Sequence, residues 1–125
     1  MRLLLDTHIV LWALTASPRL KAETVQLLQR ADEVYVSAAS VWEVAIKVRL
    51  GKLNADLADL TAAIGESGFL ELPVTAAHAA GVASLPLHHN DPFDRLLVSQ
   101  ALAEPLKLVT ADSVLVPYSD LVLLV

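Results

Sequence analysis

The chain has 125 residues, 55% of them hydrophobic, and 14 acidic against 9 basic side chains give it a formal charge of −5. Its mean hydropathy is +0.56, yet no apolar run reaches the roughly 18–20 residues that a bilayer span needs, which excludes a membrane helix and points to a small domain with a sheet buried on both faces, or to surface covered by a partner. Cysteine is absent, so disulfides, thiolate nucleophiles and zinc–thiolate centres are excluded, and the acidic balance excludes a hold on nucleic acid through a diffuse positive field.

The chain opens with "MRLLLDTH", where an acid follows three leucines, unlike a signal peptide. A cytoplasmic protein is the expectation. "RLLL" reads as a buried strand, a continuous apolar run closed by a polar residue. "HIVLWAL" and "KAETVQLLQRA" read as helices separated by the loop "TASPRL". "EVYVS" is a second strand, rich in β-branched and aromatic side chains. "AASVWEVAIKVRLGKL" is a helix that ends near Gly51, a residue suited to a helix C-terminus. "ADLADLTAAIGESG" gives a further helix, "FLELPV" a short strand and "TAAHAAGVASL" a small-residue helix. "PLHHND" is a loop, "PFDRLLVSQALAE" a helix, "LKLVTAD" a strand and turn, and "LVLLV" a last strand. Strands alternating with helices at this spacing predict an α/β fold, a mostly parallel sheet between helical layers, in a single domain spanning residues 1–125.

In open parallel sheets, ligands bind beyond the carboxyl ends of the strands, and four acids fall at that address. Asp6 follows "RLLL", Asp112 follows "LKLV" by two residues, and Glu43 and Asp94 lie near the starts of their helices. Each has an ordinary structural explanation. Asp6 and Asp112 can cap helices, Ser40 and Glu43 can form a capping box, and Asp94 can complement the positive end of its helix. Asp91 precedes a proline at a helix start and reads first as the cap of that helix. Four carboxylates on so narrow a rim repel one another, however, and a hard divalent cation removes that repulsion. Oxygen donors without cysteine favour Mg²⁺ or Mn²⁺. Such an ion polarises a phosphoryl oxygen, and it reconciles an acidic protein with a polyanionic substrate.

"LLLDTH", "SAASVWEVAIKVRLGKL", "HHNDPFDRLLVSQA" and "LVTAD" occur in an order and at a spacing that resembles the PIN-domain ribonucleases, in particular the VapC-type toxins of toxin–antitoxin pairs. The similarity spans nearly the whole chain. It implies α/β/α layers around a parallel sheet, metal-dependent endonuclease activity on RNA, a cognate VapB-type antitoxin and a homodimer. It matches Asp6, Glu43, Asp94 and Asp112 to the family's four acids and Thr110 to the hydroxyl residue two places before the last of them. Asp91 and His89 match residues common in the "DPFDR" branch. The implied mechanism is in-line attack of metal-activated water on a phosphodiester. Asp6, Asp94 and Asp112 would serve as ligands, and Glu43 would position or deprotonate the water.

Around these acids, Thr7 and Thr110 are expected to orient carboxylates. Arg95 is expected to pair with Asp91 or touch a phosphate, and His89 to reach substrate, with His88 only a loop residue. Lys47, Arg49 and Lys52 could extend a phosphate track, although Lys47 stands four residues from Glu43 and suits an ordinary helix ion pair. Trp12 and Trp42 are expected in core or interface packing rather than base stacking. The apolar N-terminal helices suit a dimer interface or an antitoxin groove. Two other small α/β families fit less well. A phosphoacceptor receiver needs an acidic pair after the first strand and a lysine after the last, and a haloacid-dehalogenase-like phosphatase needs an acid where His8 stands. A catalytically inactive PIN-like interaction module is the remaining alternative, and retention of all four acids argues against it.

Overall fold

Leu3, Leu4 and Leu5 have no solvent exposure, although side chains alternate between opposite faces along a strand. Leu3 and Leu5 join one apolar cluster and Leu4 the other, so the first strand has a core on each side. A computed structural model describes residues 1–125, with strands β1 (Arg2–Leu5), β2 (Glu33–Ser37), β3 (Leu70–Leu72), β4 (Lys107–Thr110) and β5 (Val122–Leu124). They form a single sheet in the order β3-β2-β1-β4-β5, and every pairing is parallel. The helices are α1 (Thr7–Leu14), α2 (Ala22–Arg30), α3 (Ala38–Arg49), α4 (Leu57–Glu66), α5 (Ala76–Gly81) and α6 (Pro92–Ala103), with 3₁₀ turns at Val82–Ser84 and Ser113–Tyr118.

One cluster packs Leu3, Leu5, Val34, Val36 and Val109 of the sheet against Ile9 and Val10 of α1 and Ile64 of α4. The other packs Leu4, Leu72 and Leu108 against Leu97, Val98 and Ala101 of α6. The result is the expected α/β/α sandwich, with a sheet that is parallel throughout. No helix is long and apolar enough to cross a membrane.

Helix ends are set locally. Gly51 (φ 72°) and Gly68 (φ 79°) are the only glycines with positive φ, and each lets the chain turn back over a finished helix. Gly51 N–H donates to Val48 O at 3.1 Å and Lys52 N–H to Lys47 O at 2.9 Å, the paired bonds of a Schellman motif. Gly68 and Phe69 repeat that pattern on Gly65 and Ile64. The cap of α3 is Ser37, whose hydroxyl accepts from Ala39 N–H at 3.0 Å. The capping box expected at Ser40 is therefore not formed. The helix starts one turn earlier, and Ser40 and Glu43 lie buried within it.

The chain runs outward from β1 to β3, then returns to place β4 on the other side of β1. The strand order reverses at the β1–β4 seam, where crossovers diverge and leave a crevice at the carboxyl ends. Asp6 ends β1, and its N–H extends the ladder to Val109 O at 2.9 Å.

Candidate active site

The rim of this crevice is built from strand ends and helix starts. Asp6 occupies the N-cap position of α1, yet its side chain makes no capping bond. The residue is only 3% exposed, and Oδ2 accepts from Thr110 Oγ1 at 2.7 Å. Thr110 in turn accepts from Asp112 N–H at 3.0 Å, so a single hydroxyl sets the positions of two acids from two strands. Burial pushes the Asp6 pKa up, and Glu43 adds to the rise. The Thr110 hydroxyl, His8 and the Thr7 backbone oppose it.

Asp112 caps the 3₁₀ turn through Oδ1, which accepts from Val114 N–H at 3.0 Å. Its Oδ2 lies 3.1 Å from His89 Nε2, and the same nitrogen is 3.3 Å from Asp94 Oδ2. Asp91 N–H donates to His89 Nδ1 at 3.0 Å. With Nδ1 occupied as an acceptor, a neutral His89 carries its proton on Nε2 and donates it between the two carboxylates. One donor atom from each of His89, Asp94 and Asp112 falls within a sphere of contact no wider than 4.8 Å.

Asp94 stands in the first turn of α6. Burial, then the charges of Asp6 and Asp91, push its pKa up to about 7, with Glu43 adding to the rise and His89 opposing it. Asp91 is the true cap, its Oδ1 accepting from Phe93 N–H at 2.8 Å and Asp94 N–H at 3.4 Å. Glu43 is buried on α3. Lys47 Nζ holds its Oε2 at 3.0 Å, and its Oε1 is buried with no hydrogen-bond partner.

The surrounding residues divide differently from expectation. Thr110 does orient a carboxylate, but Thr7 does not: its Oγ1 donates to Ser40 Oγ at 2.9 Å and ties α1 to α3. Arg95 forms neither an ion pair with Asp91 nor an open phosphate contact. Its guanidinium donates to the carbonyls of Pro86 (2.8 Å), Val82 (3.1 Å) and Leu85 (3.4 Å) and to Tyr118 Oη (3.1 Å), because the loop before α6 leaves these acceptors facing the helix. Tyr118 Oη also accepts from His88 N–H at 3.1 Å and His89 N–H at 2.9 Å. Sequence reasoning missed Tyr118 and read Ser40 only as a helix cap, not as the partner of Thr7. Nothing in "VPYS" marks the tyrosine, whereas the hydroxyl cluster in "SAAS" at the end of β2 was an available signal for the serine. Trp12 packs against the first core cluster, but Trp42 is 60% exposed and has no place in the core. Arg49 and Lys52 are exposed.

Two acids raised above their normal ionisation range and a third with one buried oxygen lacking a donor, all from different segments, fit a hard divalent cation. Asp94 and Asp6 are held in environments that disfavour their charge, the buried Glu43 oxygen lacks a donor, and the donor atoms are oxygens with a single imidazole. The sequence matches the PIN-domain family over residues 3–119. The chain belongs to the PIN-domain family.

This PIN domain is 30% identical over 119 residues to Ribonuclease VapC22 of Mycobacterium tuberculosis, covering 87% of this chain and 85% of that protein. Its fold is similar to VapBC2 of Rickettsia felis, solved with a promoter DNA fragment, at a TM-score of 0.72 and 18% identity over 99% of this chain and 97% of that one. FitAcB of Neisseria gonorrhoeae aligns at a TM-score of 0.61 and 24% identity over 89% and 88% of the two chains. A toxin–antitoxin complex from Klebsiella pneumoniae gives 0.60 and 18% over 88% and 86%.

Proposed function

We propose that this PIN domain is a Mg²⁺- or Mn²⁺-dependent endoribonuclease of the VapC toxin type, restrained by a VapB-type antitoxin. The observation that carries the reading is the carboxylate cluster at the β1–β4 seam, where Asp94 is pushed up to about 7 by burial and by neighbouring acids. Asp91 already caps the helix, so Asp94 is not needed for that task, and a perturbed acid in a crevice of this kind marks a functional site.

Asp6, Asp94 and Asp112 would hold the ion. When bound, it supplies charge stabilisation at the phosphodiester and acidifies water. Thr110 keeps Asp6 pointed at the seam through its 2.7 Å bond, and His89 holds Asp94 and Asp112 together from the outer side. Glu43 takes the proton of the attacking water at Oε1, the oxygen that Lys47 leaves free.

The chain's similarity to solved toxin–antitoxin complexes supports an antitoxin partner. So does an apolar groove of about 500 Å³ between α1, α2 and the end of α4, lined by Ala13, Leu20, Val25, Leu28 and Phe69. A second copy of the chain is the other claimant on this face in a homodimer. Labelled RNA incubated with the purified protein tests the activity. Cleavage is expected with Mn²⁺ or Mg²⁺, none with EDTA, and none from Asp6→Asn, which retains the parental circular-dichroism spectrum. Cleavage by Asp6→Asn at the parental rate, or cleavage indifferent to EDTA, would overturn the reading.

A further inference from the structure

The imidazole of His89 raises a question about which ion the carboxylates would hold. Its Nε2 lies 3.1 Å from Asp112 Oδ2 and 3.3 Å from Asp94 Oδ2. Neighbouring ligands of a tetrahedral zinc ion, bonded at about 2.0–2.1 Å, stand about 3.3 Å apart. By distance alone, His89, Asp94 and Asp112 would suit zinc, with one nitrogen and two oxygens. Zinc also binds such mixed sites more tightly than manganese does.

The hydrogen bonds argue the other way. Asp91 N–H points at His89 Nδ1 from 3.0 Å. A ring nitrogen that accepts a hydrogen bond carries no proton, so the neutral ring has its proton on Nε2. A ligating nitrogen needs its lone pair free, and a metal-bound histidine donates from its other ring nitrogen to a carboxylate, a carbonyl or water. Here the other nitrogen faces a donor. Ligation through Nε2 would set an Nδ1–H against the Asp91 amide.

The surroundings hold this arrangement from both sides. His89 N–H donates to Tyr118 Oη at 2.9 Å, and Arg95 donates to the same oxygen at 3.1 Å. Asp91 is anchored by its own capping bond to Phe93 N–H at 2.8 Å. Asp91 therefore has two duties, its carboxylate capping α6 and its amide choosing the tautomer of the histidine.

We propose that His89 is a positioning residue and not a ligand: the Asp91 amide locks it as an Nε2–H donor to Asp94 and Asp112, which leaves the cation an all-oxygen seat and denies zinc a nitrogen. The proposal rests on the metal-dependent reading above. It accounts for a hard-ion site built around a histidine.

Measurements on the full chain test it without recourse to cleavage. In nitrogen–proton correlation spectra of the metal-free protein at alkaline pH, His89 should be protonated at Nε2 and bare at Nδ1. The opposite tautomer would overturn the lock. Electron spin-echo modulation of one Mn²⁺ bound per chain should show no imidazole nitrogen, and a nitrogen coupling that vanishes in His89→Gln would make His89 a ligand after all. Calorimetric titration separates donor from ligand, because glutamine offers an amide N–H in place of Nε2–H and has no imidazole. His89→Ala is expected to lose about tenfold or more in Mn²⁺ affinity. His89→Gln should recover most of that loss and keep the parental ratio of Zn²⁺ to Mn²⁺ affinity. If Zn²⁺ affinity in His89→Gln fell about tenfold further than Mn²⁺ affinity, the ring would be a zinc ligand and the proposal wrong. Parental Mn²⁺ affinity in His89→Ala would remove the positioning role. Each of these reversals leaves the metal-dependent ribonuclease reading intact, whereas a parent that binds no Mn²⁺ would sink that reading and this proposal with it.

Discussion

A single hydroxyl at Thr110 controls two of the four acids. It donates to Asp6 Oδ2 and accepts from the Asp112 backbone, and by favouring the ionised form of Asp6 it opposes the rise that burial imposes. Thr110→Val keeps the shape of the side chain and removes the bond. The expected result, read by calorimetric titration with Mn²⁺, is a loss of about 10–100-fold in metal affinity, the usual cost of deleting such a supporting group. Thr110→Ser should bind close to the parent, and equal affinity in Thr110→Val would mean that Asp6 is not a ligand. The threonine was legible in "TAD" because it matches the hydroxyl that the PIN-domain family carries two places before its last acid. Thr7 likewise stands beside an acid, Asp6, yet its hydroxyl turns to Ser40. The choice depends on which helix packs across the strand end, and that is a tertiary fact. The misplaced capping box has a similar cause: "SVWE" fits the cap pattern, but β2 ends at Ser37, so the helix begins before the pattern does.

At the scale of elements, the loop between the Val82–Ser84 turn and α6 is where sequence reasoning was least informed. "PLHHND" reads as polar connection, and periodicity says nothing of its shape. Its order comes from a clasp: Arg95 gathers the carbonyls of Val82, Leu85 and Pro86, and Tyr118 Oη accepts from the backbone of His88 and His89. The ring of His88 rests edge-on against Tyr118 at 4.9 Å, which keeps the residue in the loop role expected for it. Because His89 bridges Asp94 and Asp112, this clasp sets the outer wall of the carboxylate cluster. Tyr118→Phe retains the ring and removes the hydroxyl, leaving two backbone donors and one guanidinium nitrogen without that acceptor. A destabilisation of about 1–3 kcal/mol in urea melts is expected, together with faster amide exchange at His88 and His89. Unchanged exchange there would show that the loop is held by Arg95 alone. By contrast, the long helices and the buried strands were legible because both faces of the sheet are covered, and a run such as "RLLL" has no other place to go.

At the scale of the molecule, what the sequence could not supply is the strand order. Acids at strand ends are visible in the chain, but only the order β3-β2-β1-β4-β5 brings Asp6 beside Asp112 at the seam where crossovers part. The energetic consequence is a fold that carries an electrostatic penalty of known sign. The Asp94 pKa is raised from 3.8 to about 7 in the folded, metal-free protein. At pH values below the unfolded pKa the group is protonated in both states and costs nothing. As pH rises toward 7, the folded state retains a proton that the unfolded chain has released, so stability falls across that interval and levels off above it. Asp6, also raised, contributes in the same direction. A cation binds the ionised carboxylates and so recovers the loss where it is largest. Thermal melts with EDTA should therefore show a melting temperature that declines between about pH 4 and 7. Added Mg²⁺ should raise it more on the alkaline side of that interval than on the acid side. Asp94→Asn removes the charge without the volume: metal-free, it should be more stable than the parent at alkaline pH, by roughly 0.5–2 kcal/mol, and nearly indifferent to Mg²⁺. An acid serving only its helix would behave in the opposite way. Its loss would cost stability at alkaline pH, the parent would melt higher as Asp94 ionised, and Mg²⁺ would shift neither protein.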